Sequence, residues 1–307
     1  MARSPVGRLV VAGLGALAAR QALAATRWAA TRSAATRSAA ETAAGGPLTR
    51  TNYRGRTVSL AGGPALALGA TAAAAAGAGG PVRGGTGGRL RAAVMVAGTG
   101  AGLVGFYDDL VGGRPGHAAK GFRGHLTALA QGRVTSGLIK VVGVGASGLA
   151  AAALLDVGGP VRRGRGRGVR MAVDVLLGAG VIAGTANLLN LLDLRPGRAL
   201  KAGLLVATPI AAASGRGAGI AAGAAGAAAG LLPADLDEKI MLGDAGANTL
   251  GALLGTALAA GTGTAGRAVL FAGLAALTAA SERVSFTQVI NRTPVLRELD
   301  ALGRRTD

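Results

Sequence analysis

The chain has 307 residues, half of them hydrophobic, yet only 2% are aromatic and the formal net charge is +19. A disordered basic tail would pair such charge with low hydrophobicity, and a soluble nucleic-acid-binding domain rarely combines it with a mean hydropathy of +0.45. With no cysteine in the chain, disulfides, thiolate zinc sites and cysteine nucleophiles are excluded as well.

A helix that crosses the hydrocarbon needs about 20 predominantly apolar residues. Runs without Asp, Glu, Lys or Arg occur, in chain order, at 9–19, 57–82, 92–107, 141–155, 175–192, 202–215, 217–234, 245–266 and 268–281. Arg20 extends the first and Lys140 the fourth, since long cationic side chains snorkel to the interface. Together the runs predict an all-α fold: a polytopic integral membrane helix bundle of about nine transmembrane helices, forming one domain over 1–307. Many runs are rich in Ala and Gly, which let helices approach closely.

The first run has two readings. Arg3 and Arg8 before it and Ala22-Leu23-Ala24 after it fit a secretory signal with its cleavage site. Six arginines within 27–56 favour a retained helix that runs from outside to inside, because positive charge stays cytoplasmic. That threading puts the N-terminus outside and the C-terminus in the cytoplasm, with a tail over 282–307. The inner segments then hold 19 basic residues against 12 outside, a modest bias, but 12 of the 14 acids. Trp28, Tyr53 and Tyr107 fall at the same inner interface. The positive-inside rule does not predict clustered acids, so they call for a chemical reason.

Three constellations lie on that face. Gly105-Phe106-Tyr107-Asp108-Asp109 ends the third run. Two adjacent carboxylates at a helix C-terminus are opposed by each other and by the macrodipole, which fits a divalent cation or a proton-transfer pair; a solvated loop start is the plain alternative. Asn187, Asn190 and Asp193 close the fifth run at a spacing of three, on one helical face. They could bind metal, phosphate or sugar hydroxyls, or serve as hydrogen-bonding glue between helices. Gly243-Asp244-Ala245-Gly246-Ala247-Asn248 opens the eighth run. Asp244 is there a natural N-cap, and the same helix start could accept phosphate with Mg²⁺ held beside it. Gly246 and Gly251 would admit a ligand or a helix.

In order, Gly105–Asp109, Lys120-Gly121-Phe122, Asn187-x-x-Asn190-x-x-Asp193 and Gly243-Asp244-x-Gly246 resemble the polyprenyl-phosphate N-acetylhexosamine-1-phosphate transferase superfamily over about 51–255. That group includes phospho-N-acetylmuramoyl-pentapeptide transferase and the GlcNAc-1-phosphate transferases. The resemblance implies transfer of a sugar 1-phosphate from a UDP-sugar to a polyprenyl phosphate at the cytoplasmic face of the cell membrane, with Mg²⁺ as cofactor. It implies catalytic roles for Asp108 and Asp109, metal binding by Asp244 and Asp193, and substrate contacts from Asn187, Asn190, Lys120, Gly246 and Asn248. Arg54 and Gly62-Gly63 match the first cytoplasmic loop's glycine motif loosely. Implied partners are the lipid phosphate, the nucleotide-sugar and the bilayer, with a homodimer as a candidate assembly and no nucleic acid.

The chain also departs from that pattern. A second Asp expected three residues after Asp193 is Pro196, the His-rich last loop is replaced by 285–294, and a tenth helix is absent. His117 and His125 read as loop residues. Val295, Leu299 and Leu302, after Thr293 as N-cap and Pro294 in the first turn, predict a short interfacial helix. Two alternatives therefore stand beside the enzyme: an inactive relative that binds polyprenyl phosphate or a lipid-linked precursor, and a transporter using Lys140 and the Asn face.

Overall fold

A computed structural model describes residues 4–35, 48–79, 85–112, 121–156 and 167–305. Helix α1 is Pro5–Ala35, and a hairpin of β1 (Thr49–Thr51) and β2 (Thr57–Ser59) follows. The remaining helices are α2 (Gly62–Gly77), α3 (Gly85–Val111), α4 (Gly121–Ala130), α5 (Ser136–Asp156), α6 (Arg167–Leu192), α7 (Arg198–Ala212), α8 (Ala218–Leu236), α9 (Gly243–Gly261), α10 (Thr264–Ser281), α11 (Phe286–Arg292) and α12 (Pro294–Ala301).

Among the described residues, each of the nine apolar runs is carried mainly by helix. Among the described residues six helices, α1, α3, α5, α6, α8 and α10, are long and apolar enough to cross a membrane, the pattern of a multi-pass membrane bundle. Their outward faces expose large apolar side chains such as Leu9, Leu103, Leu176 and Val269, which in a soluble protein would form a costly patch. Helices α2 and α7 have 16 and 15 residues, about 24 and 22 Å at the helical rise, short of a hydrocarbon core of about 30 Å. Helix α9 has the length but carries Asp244, Asn248, Thr249 and Thr256.

Those polar residues are tolerated because α9 is the centre of the bundle, in contact with α2, α3, α5, α6, α7 and α8. Nearly all of it is buried. Thr249 and Thr256 satisfy their hydroxyls on their own helix, each donating at 2.7 Å to the carbonyl four residues back. Small residues set the spacing: a Cβ on Gly251 would stand 2.5 Å from the Ala186 Cα of α6.

Three sequence expectations are corrected. The run at 57–82 begins as a strand, since β-branched Thr57 and Val58 suit a pleat and pair antiparallel with β1. Asn52 closes that hairpin by accepting the amides of Arg54 and Arg56 at 2.9 and 3.0 Å. The run at 245–266 is broken near Gly263, whose extended backbone separates α9 from α10. Finally, α12 forms with Pro294 in its first turn, but Thr293 makes no side-chain cap to it; its hydroxyl donates back to Val289 at 2.9 Å.

Candidate functional site

The C-terminal ends of α3, α6 and α8 and the N-terminal ends of α5 and α9 meet at one end of the bundle, and the acids come with them. Lys140, one turn into α5, places its Nζ 2.8 Å from Asp108 Oδ2 and 2.6 Å from Asp244 Oδ2. A cation thus sits between two carboxylates that would otherwise repel in a half-buried setting. From the sequence Lys140 reads as a snorkelling span residue or as a transporter's charge, not as the partner of these carboxylates. Its signal was present as a rare Lys in a chain whose basic residues are mostly Arg, set in an apolar run.

Asp109 points elsewhere. Its Oδ1 accepts the amide of Asp244 and its Oδ2 the amide of Ala245, both at 2.9 Å. The expectation that Asp244 caps its own helix is therefore corrected: α9 starts at Gly243, the preceding Leu242 makes no side-chain cap, and the capping carboxylate arrives from α3. Gly243 makes this approach feasible, with φ +60° and a would-be Cβ only 2.7 Å from Asp109 Oδ1. On α3, a Cβ at Gly105 would collide with the Asp244 carbonyl. The Arg50 guanidinium of β1 donates to the Asp109 carbonyl oxygen.

Asp193 lies in the turn after α6 and is 8% exposed. Its Oδ2 is buried with no hydrogen-bond partner. Burial, then the charges of Asp235, Asp244 and Asp109, push its pKa well above the ordinary 3.8, against the opposing hydrogen bond from the Gly243 amide. Asp235, near the end of α8, accepts the Gly197 amide at 2.6 Å and was not singled out from sequence. Asp193 and Asp235 line a cavity of about 130 Å³ together with Tyr53, Arg195, Pro196 and Ile240. The Arg195 guanidinium stacks 3.7 Å from the Tyr53 ring centre. Glu238, on the same wall, has left-handed φ of 56°. It is held there by Asn52 Nδ2 at 2.6 Å and Arg54 Nη1 at 3.2 Å, so Arg54 is brought to the site's edge.

The remaining candidates divide. Asn187 donates to the Thr278 hydroxyl of α10 at 3.2 Å, an interhelical bond away from the acids. Asn190 is half-buried on α6, one turn before Asp193. Gly246 serves helix packing, its would-be Cβ 3.1 Å from the Gly63 Cα of α2. Asn248 is 2% exposed on α9 with Nδ2 unpartnered. Lys120 and His117 lie outside the described residues, and His125 is placed on α4 without a described side chain.

Among the described residues no group of three or more His, Cys, Asp or Glu is arranged to hold a metal ion. This donor set still has the chemistry for Mg²⁺, which is commonly held by one or two carboxylates and completes its shell with water and substrate phosphates. The Oδ2 of Asp193 is buried and unpartnered, an oxygen available to a cation.

No protein-family model matches the chain, and no curated protein matches it. Fold and site together define a class: a multi-pass helical membrane bundle with buried carboxylates and a lysine gathered at one end.

Proposed function

We propose that the protein transfers a sugar 1-phosphate from a nucleotide sugar, UDP-linked or similar, to a polyprenyl phosphate, for lipid intermediates of cell-envelope polysaccharide or peptidoglycan type. The observation that carries this reading is the convergence of Asp108, Lys140 and Asp244 beside the cavity lined by Asp193. Phosphates meeting at the end of an apolar bundle need both cations and acceptors, and a lipid-borne substrate needs a site reachable from the bilayer. The proposal includes nine membrane passes, with α2, α7 and α9 crossing in the shelter of their neighbours, an outer N-terminus, and a site at the cytoplasmic face of the cell membrane.

Asp244 and Asp193 would hold Mg²⁺, which when bound neutralises charge on the nucleotide's pyrophosphate. Asp108, rather than the amide-bound Asp109, keeps the lipid phosphate ionised. One of that phosphate's oxygens attacks the sugar-bearing phosphorus; the bond to the nucleoside phosphate oxygen breaks, and the nucleoside monophosphate leaves with the electron pair. Lys140 offsets the negative charge that develops. Membranes containing the protein should convert a labelled nucleotide-sugar and polyprenyl phosphate to lipid-linked sugar and nucleoside monophosphate. Absence of Mg²⁺-dependent product across a panel of nucleotide-sugars would overturn the reading.

A second reading is a non-catalytic relative that binds polyprenyl phosphate or a lipid-linked precursor as scaffold or regulator. Pro196 in place of a carboxylate and the commitment of Asp108 and Asp244 to Lys140 favour it. Lipid-phosphate binding without turnover, unchanged by Asp108→Asn, is its signature.

A further inference from the structure

The chain beyond α10 folds back as a strap across the carboxylate end of the bundle. Asp300 of α12, 9% exposed, receives the Arg198 guanidinium in bidentate fashion, Nε to Oδ1 at 2.8 Å and Nη2 to Oδ2 at 2.9 Å. Arg304 adds a third contact to Asp300 Oδ1 at 2.7 Å and donates through Nε to the Pro196 carbonyl at 2.9 Å. Lys201 caps the end of α12, donating to the carbonyls of Leu299, Asp300 and Leu302 at 2.9, 2.6 and 3.1 Å. Arg198 and Lys201 both belong to the first turn of α7. The strap is therefore pinned where the apolar bundle ends.

Pinned in this way, α12 leaves an apolar stripe uncovered. Val295, Leu299 and Leu302 are 66%, 44% and 67% exposed, and their spacing of four and three puts them on one side of the helix, beside Leu296. At about 100° per residue, Asp300 lies roughly 100° around the helix from Leu299, roughly 140° from Val295 and roughly 160° from Leu302. The stripe thus points away from the α7 latch and stays largely exposed. Three observations say what covers it. Only four residues separate the strap from α10, whose side chains Val269, Phe271 and Leu277 are exposed along a candidate membrane span. The latch holds α12 at the end of that span. Exposed Arg283 and Arg292 precede the apolar positions, the residue type that pairs with anionic headgroups.

We infer that α11 and α12 form an interfacial strap whose apolar stripe lies in the headgroup region of an anionic lipid surface, while its Asp300 side grips α7 and the Pro196 turn. The inference requires only a membrane bundle and is independent of any transferase activity.

The absence of native cysteine allows single cysteines in the full chain to carry spin labels, in nanodiscs with and without phosphatidylglycerol. In anionic nanodiscs, labels at 295, 299 and 302 should favour oxygen over a water-soluble nickel reagent, with the reverse at 297. Loss of Arg283 and Arg292 to Gln should shift the docking equilibrium about fivefold per arginine towards water. Nickel access at all four positions, or an oxygen preference unaffected by phosphatidylglycerol, would overturn the inference. So would shielding of 295 and 299 from both reagents, which would mean a protein partner.

Discussion

Asp109 supplies to α9 the cap that α9's own Asp244 does not: two carboxylate oxygens on two consecutive amides, each at 2.9 Å. This relationship separates two neighbouring aspartates into different duties. Asp109 satisfies the amide dipoles of a central helix, and Asp108 next to it is left to face Lys140. Asp109→Ala should therefore act on stability, lowering it by about 0.5–2 kcal/mol as loss of a cap does, measured by thermal unfolding in detergent. A variant as stable as the parent would deny Asp109 that duty.

Asp108→Asn is expected to preserve the fold, because Lys140 keeps its contact with Asp244. Turnover in the lipid-transfer assay should be lost, with polyprenyl-phosphate binding retained. Asp244→Asn should likewise abolish turnover in a folded protein; unchanged rates in either variant would take that residue out of the reaction.

Lys140→Met leaves Asp108 and Asp244 facing one another without a cation. Removing one partner of a fully buried pair costs about 3–5 kcal/mol. With 22% of the Lys140 and Asp244 side chains exposed, a loss of about 1–3 kcal/mol is expected after solvent screening. Adding Asp244→Asn to Lys140→Met should recover part of that loss. A double-mutant cycle that closes with no coupling would show that Lys140 and Asp244 do not act together.

Gly243→Ala meets two obstacles, a left-handed φ and a contact 2.7 Å from Asp109 Oδ1. It should cost at least about 1 kcal/mol. Asp109→Ala should make the same glycine substitution less harmful by opening the space, a rescue visible in the melting temperatures.

Asp300 carries a pH prediction. Burial raises its pKa, but the Arg198 and Arg304 guanidiniums outweigh burial and hold it below 3.8. A depressed carboxylate contributes stability above its ordinary pKa and loses it as pH falls through the folded value. The strap should therefore stay latched at neutral pH and detach below about pH 3.8, followed by proteolysis of the tail. Asp300→Asn should leave the tail protease-sensitive at neutral pH, with no further acid transition in that window.

The positions of the helices were legible because lipid-facing and core-facing residues are both apolar, so charge-free runs mark them whatever they touch. Paired Asp108 and Asp109 and the spacing to Asp193 and Asp244 pointed to one end of the bundle for the same reason: in a membrane chain, acids are confined to the ends of runs. What stayed hidden were contacts made between distant segments. The cap on α9 crosses from residue 109 to residues 244 and 245, the Lys140 bridge joins three helices, and the Asp300 latch joins residue 300 to residue 198. None has a local signature, since periodicity records which face is buried but not against what. The hairpin was missed because its strands are only three residues long and adjoin an apolar run.

The polarity of α9 has a consequence for how the protein is made. A helix with Asp244 in its first turn and Asn248 and Thr249 behind it has little reason to leave the insertion machinery for lipid as a solitary segment, because these polar side chains find no partner there. Its surroundings are complete only once α2, α3 and α6 stand ready to receive it. In the proposed nine-pass arrangement membrane integration is thus a cooperative event, and α9, synthesised late, is the keystone whose entry waits for an arch already standing.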